Sequence, residues 1–248
     1  LTLSLILLAG FFPGLLHSLP LQRVEAGSIT ATSTPSVTLT PFLSATPEPA
    51  AIKTKMATDS VLPTSVLIEI KGHAQRFSID CESAAAVDLA GYYGIKINEF
   101  EFQSALPLSD NPDFGFVGSL NGEWGQIPPA PYGVHAEPVA QLLSGQYGFK
   151  AKAVRRMSLD WVKQTLNAGD PIIVWVVGRL EQSPAIIYTD KQGRQVTVAP
   201  YEHVVILHGY DENSGRIHFM GEGISYTAKY ETFLFSWKIL GNMALVKE

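Results

Sequence analysis

Cys81 is the single cysteine among 248 residues. The chain therefore forms no internal disulfide, and the thiol is either a buried, inert side chain or a nucleophile. Asp80 precedes it, and Cys81-Glu82-Ser83-Ala84-Ala85-Ala86 reads as the opening of a helix. There the positive end of the macrodipole favours thiolate, so a lowered pKa is expected. A cysteine nucleophile needs a histidine base, distant in sequence but adjacent in the fold. His17 lies in an apolar leading stretch, and His73, His135, His203, His208 and His218 follow. His203 comes after Tyr201-Glu202 at the head of the apolar run 204–207, where a polar side chain on the rim of a strand can turn into a cleft. The other four read as surface or half-buried residues. His203 and His208 would face opposite sides of one strand, so they build no zinc pair. A nucleophile elbow, a dinucleotide fingerprint and a P-loop are all missing from the sequence, and no metal or cofactor is expected.

The elements that must position these residues are mixed rather than strictly alternating. Residues 66–70 read as a strand. The helix opened by Cys81, with Asp80 as N-cap, should stop at Gly94. Asn98 with Glu101 three residues on resembles a capping box that starts a second helix. Residues 106–133 hold five glycines and five prolines, a long loop of the kind that is functional or disordered. Helical patterns return at 136–146 and 158–168, the latter ended by Gly169-Asp170-Pro171. Strands are expected at 171–177, 203–210, 216–220 and 242–246. Helices first and strands later argue for an α+β fold.

Composition bounds the partners. With 18 basic against 23 acidic residues and a net charge of −5, no basic surplus exists to neutralise phosphates, so nucleic acid is not an expected partner. Residues 1–16 are apolar and uncharged and lead to the small-x-small sequence Val24-Glu25-Ala26, which reads as an export signal over 1–26, with a retained membrane anchor as the alternative. The first residue is Leu, and the expectation is that the true start lies upstream. Residues 27–65 contain 20 Ser, Thr or Pro among 39, too few apolar groups to offset the entropy of ordering, and read as an extended tether. Residues 66–248 are then a domain of 183 residues, enough for one substantial core, expected to be monomeric and to act outside the cytoplasm.

One resemblance ties these pieces together. Gln75-x5-Cys81, Asp80 and Tyr92-Tyr93-Gly94 are similar to the bacteriocin-processing (double-glycine leader) peptidase family. Its stand-alone exported branch, which carries Cys-Glu where transporter-fused members carry Cys-Gly, is the nearer likeness. The similarity continues through Gly115-Phe116-Val117-Gly118, Tyr132-Gly133-Val134-His135-Ala136, Gly169-Asp170-Pro171-Ile172, Glu202-His203-Val204-Val205, His208-Gly209-Tyr210 and Trp237-x3-Gly241. The resemblance implies a papain-like α+β fold, Cys81 as nucleophile on the N-terminal helix and His203 as base on an antiparallel sheet. It gives Gln75 the role of oxyanion-hole donor beside the Cys81 backbone N–H. The papain signature around the cysteine is absent, so papain itself is not the relative.

The third member of the triad departs from that pattern. Where the family places an Asp or Asn to orient the histidine, the alignment of Arg216-Ile217-His218-Phe219-Met220 puts Gly221. Glu222 is the candidate substitute, but alternation would aim it at the opposite face unless Gly221 and Gly223 form a bulge. Asp211 lies too far along the His203 strand to reach the ring. The leading expectation is an exported thiol peptidase acting on a peptide or protein through a Cys81 acyl-enzyme. A cell-wall amidohydrolase and a catalytically degenerate peptide-binding module are the alternatives. Of the four tryptophans, Trp124 in the long loop is the one placed to touch substrate.

Overall fold

The computed structural model describes residues 62–248. The expected export segment, 1–26, and residues 27–61 of the tether lie outside the described residues. Among the described residues no helix is long and apolar enough to cross a membrane. Residues ahead of the expected domain start at 66 take part in the fold: Ser65 pairs with Asp211 in β1 (Ser65–Leu67), and the Tyr210 hydroxyl donates to the Pro63 carbonyl.

The fold is α+β. An antiparallel sheet runs in the order β2 (Ala151–Val154), β9 (Ala244–Lys247), β3 (Ile172–Val177), β6 (Glu202–Asp211), β7 (Arg216–Gly221), β8 (Ile224–Lys229), with β1 added to β6. Its central strands are apolar on both faces because both are covered. Ile173, Trp175, Val204 and Ile206 join a core with α1 (Cys81–Tyr92), α2 (Glu99–Ala105) and α3 (Ala136–Gln146). Ile172, Val174, Val205 and Leu207 face the other way, into a core with α4 (Leu159–Asn167) and α5 (Tyr230–Ile239). Burial of such side chains, about 1.5–3 kcal/mol each, is what fixes the helices to the sheet.

The helix punctuation largely follows the sequence. Asn98 caps α2 by accepting from the Glu101 N–H, and Ser158 caps α4 by accepting from the Trp161 N–H. Asp80 is the exception: it occupies the N-cap position of α1 but makes no capping bond, because its Oδ1 accepts from the Phe77 N–H behind it. The long loop is ordered. Leu108 bridges to Phe116 and Val117 to Gly133, and buried Asn111 donates to Asp190 at 2.9 Å. Its anchor, Asp190, sits at the turn of a separate hairpin, β4 (Ile186–Thr189) with β5 (Gln195–Val198).

Candidate active site

β6 carries the decisive geometry. On one edge it pairs with β3 from Glu202↔Val177 to Leu207↔Ile172. On the other edge its ladder with β7 ends at Ile206↔Met220, which leaves residues 202–205 with an open edge. The start of α1 sits against it. Cys81, first residue of α1 and 7% exposed, lies beside the backbone N–H of Val204 and donates its own proton to Glu82 Oε2 at 3.4 Å. Simple alternation would separate Cys81, on the face of Val204 and Ile206, from His203, on the face of Val205. The open edge brings both to the same hollows: a cavity of about 160 Å³ between Gln75, Cys81, Trp124, Arg179, His203 and Glu222, continued by a narrower one past Gly221.

His203 is held by packing alone. Burial lowers its pKa, the Glu222 carboxylate opposes this and Arg179 adds to it, so the ring is neutral at neutral pH and able to accept a proton. Trp124 stands edge-on to it at 6.2 Å and is fixed by its Nε1–H donating to the Glu202 carbonyl at 2.9 Å. A Cβ added at Gly221 would lie 3.6 Å from His203 Nε2 and 3.5 Å from Val205 Cγ1. Position 221 is thus beside the ring, and with Nε2 turned toward it Nδ1 is the nitrogen left for the thiol. Glu222 comes to the cleft through a turn rather than through a bulge of Gly221 and Gly223. Gly221 pairs with Ile224, and the two residues between, Glu222 at φ +52° and Gly223 at φ +74°, form a tight hairpin turn with both φ positive. Its exposed side chain lines the cleft with His203.

Gln75 lies on the extended segment that leads into α1. Its Nε2 donates to the Phe77 carbonyl at 2.7 Å, and its Oε1 is buried without a partner. An amide nitrogen carries two N–H groups, so one donor remains for the cleft. This segment is tied down by His73, whose Nδ1 meets Asp88 at 2.6 Å and Nε2 meets Glu99 at 3.3 Å.

The expected low thiol pKa is not found. Burial raises the Cys81 pKa well above its ordinary value, and the carboxyl groups of Glu82 and Glu202 raise it further. Sequence reading missed both. Glu82 is 1% and Glu202 3% exposed; the available signal was period two, since Glu202, Val204 and Ile206 share the face turned to α1. With Cys81 they form the sole cluster of three potential cation ligands among the described residues; Glu82 accepts from the Val134 N–H at Oε1 and from the thiol at Oε2.

The remaining histidines separate from the site. His135 is fully buried, not half-buried as expected, with Nδ1 at 2.6 Å from Asp113. His208 is buried too and meets the Ile68 carbonyl. Asp211 is occupied at the far turn by the Asn213 N–H and the Ser214 hydroxyl. A wider hollow, about 820 Å³, lies against α1 and is lined by Lys71, Asp88, Tyr92 and Lys96; neither Cys81 nor His203 lines it.

Comparison with known proteins agrees with this architecture. Residues 68–245 match the model of the Peptidase_C39 like family. The protein YvpB of Bacillus subtilis (strain 168) is 26% identical over 211 residues, spanning 79% of this chain and 80% of its own length. A crystal structure described as a C39-like peptidase from Bacillus anthracis superposes with a TM-score of 0.63 at 19% identity, covering 74% of this chain and 97% of that one. The peptidase domain of Streptococcus ComA, a bi-functional ABC transporter, gives a TM-score of 0.43 at 14% identity, covering 72% of this chain and 98% of its own.

Proposed function

Because the chain belongs to the Peptidase_C39 like family, we propose that it is an exported cysteine peptidase that cleaves peptide bonds through an acyl-enzyme on Cys81. The observation that carries this reading is the shared cleft: the only cysteine and a neutral, partly enclosed histidine line the same cavity from opposite elements. The Sγ proton passes to His203, and the sulfur attacks the scissile carbonyl carbon to form a C–S bond. The carbonyl oxygen, now anionic, is met by the Cys81 backbone N–H, one of the unpaired donors at the start of α1, and by the second Nε2–H of Gln75. His203 returns the proton to the leaving amine. Water then hydrolyses the thioester with His203 again as base. The cavity of about 160 Å³ is below the roughly 300–1,000 Å³ of sites that enclose a drug-sized ligand, which suits an extended chain with small side chains at the cut.

Cys81→Ala and His203→Ala should abolish hydrolysis of a peptide library while leaving the fold intact, and Gln75→Ala should lower turnover by roughly 10² to 10³-fold. Full activity in Cys81→Ala sinks the reading. Digesting peptidoglycan in parallel separates a peptidase from a cell-wall amidohydrolase. A non-catalytic peptide-binding module is favoured by one specific observation, the glycine beside His203 Nε2; peptide binding without turnover in the wild type would establish it.

A further inference from the structure

On the α1 side of β6, next to the cleft, two carboxyl groups are buried with no cation beside them. Cys81 Sγ and one carboxylate oxygen each from Glu82 and Glu202 lie within 4.8 Å of one another. Glu82 is held at both ends, Oε1 accepting from the Val134 N–H at 2.5 Å and Oε2 from the Cys81 thiol at 3.4 Å. Glu202 Oε1 is buried without a partner. Gly133, at φ +122°, is what lets the two side chains in: a Cβ there would collide with Glu82 Oε1 and stand 3.3 Å from Glu202 Oε2. The titratable groups that act on the pair are Asp80 and Cys81 from the start of α1, with the phenol of Tyr132 from the loop. All are acids, and neither Glu82 nor Glu202 makes an ion pair among the described residues. Two bare carboxylates this close and this buried do not both stay charged, so a proton is retained between them.

We propose that Glu82 and Glu202 form an acid pair that shares one proton and, through the Sγ–H···Oε2 hydrogen bond, holds Cys81 as a neutral thiol at rest. They are positioning residues of the nucleophile, since they act through Cys81 rather than on substrate. Burial raises both carboxyl groups, Glu82 to about 7 and Glu202 well above its ordinary value, the latter also pushed by Glu82. Above that range Glu82 is charged and a thiolate beside it is disfavoured. Below it Glu82 is neutral and the repulsion is gone. When the thiol proton leaves for His203, the pair's own proton settles on Oε2 and donates to the sulfur, so S–H···O becomes O–H···S⁻ with no proton gained or lost by the pair.

This rests on Cys81 being the nucleophile proposed above, but its test needs no turnover. The alkylation rate of Cys81 by iodoacetamide is measured across pH 5 to 10 in the whole protein, the wild type against Glu82→Gln. The profile of the variant should move to lower pH, with a rate at pH 7 at least tenfold higher, the equivalent of one pKa unit. Superimposable profiles would overturn the proposal. A slower Glu82→Gln would also overturn it, by making Glu82 the base for the thiol. A second measurement covers a variant that fails to fold: the infrared C=O stretch of a protonated carboxylic acid should be present in the wild type at pH 8 and lost in Glu202→Gln. Its absence from the wild type would mean that no proton is shared. Altered alkylation without peptide cleavage in any variant would leave the pair standing and remove the peptidase reading alone.

Discussion

Two histidines show what this chain can build and where it does not build it. His135 has everything that orients an imidazole. Asp113 lies 2.6 Å from Nδ1, Arg155 braces the same carboxylate, and the Tyr132 hydroxyl stands 3.5 Å from Nε2. It has no nucleophile to serve. His203 shares a cavity with the only thiol of the sequence, yet its Nε2 lies beside a glycine and Trp124 stands edge-on to its ring. The difference is one of surroundings. A fully buried histidine must have its ring protons and lone pairs satisfied or pay the desolvation penalty, whereas a cleft histidine leaves them for chemistry. The carboxylates divide in the same way. The one at His135 is paired with a donor and a cation, whereas of the two at Cys81 Glu82 accepts from the thiol and the Val134 N–H and Glu202 has no cation beside it.

The two regions should respond to pH with opposite sign, and this is the largest effect expected. Glu82 has a folded pKa of about 7 against 4.5 for the free group. Its contribution is fully present below 4.5 and lost as pH rises through 7, a change of about 3 kcal/mol. His135 is lowered from 6.5, chiefly by burial. Its contribution is present above 6.5 and lost as pH falls. Urea unfolding of the wild type and Glu82→Gln between pH 4.5 and 8 should show the stability difference shrinking by about 3 kcal/mol toward the alkaline end; a difference that stays constant would mean Glu82 is charged throughout. Next in size, Asp113→Ala should leave His135 with a buried, unpaired N–H and cost roughly 2 kcal/mol, a fall of about 4–8 °C in Tm for a domain of this size. Alkylation of Cys81 should be unchanged. A change there at constant Tm would join the two regions into one network.

Much of this was legible because the signals are local. α3 lies at 136–146 as its pattern predicts, and α4 and β3 fall within a residue or two of their expected bounds, because stops such as Gly169-Asp170-Pro171 act on their own neighbours. The hairpin of β4 and β5, the edge strands β2 and β8, and α5 escaped notice. Ala151–Val154 is short and carries an exposed lysine, and Ile224–Lys229 is mostly exposed and reads as a strand only once β7 is beside it. At the site, Cys81 and His203 were legible from residue type and resemblance. The acid pair was not, because it depends on where the β6–β7 ladder ends and on the backbone of Gly133. The thiol went the other way from its expected direction for a reason of magnitude. A helix terminus contributes typically 0.3–1 kcal/mol, whereas full burial and carboxylate neighbours shift a pKa by up to several units.

The last and smallest prediction sharpens the contrast at His203 itself, by giving it what His135 already has. Gly221 is not in the left-handed region, and an added Cβ would meet only Val205 and the ring at ordinary van der Waals distances. Gly221→Asp therefore introduces a carboxylate within reach of Nε2 without backbone strain. Loss of an orienting Asp costs roughly 10⁴-fold in a serine protease, but part of that is recovered here by packing against Trp124, so a gain of about tenfold in turnover is expected. Glu222→Gln should change turnover less than about twofold, because an exposed turn carboxylate acts on the ring only through screened charge. Measured together the two variants separate the cases. A gain at 221 with indifference at 222 means the orienter is missing, whereas a large loss at 222 means the turn supplies it. No turnover in the wild type or in Gly221→Asp leaves the cleft as a peptide-binding surface with a histidine that has no work to do.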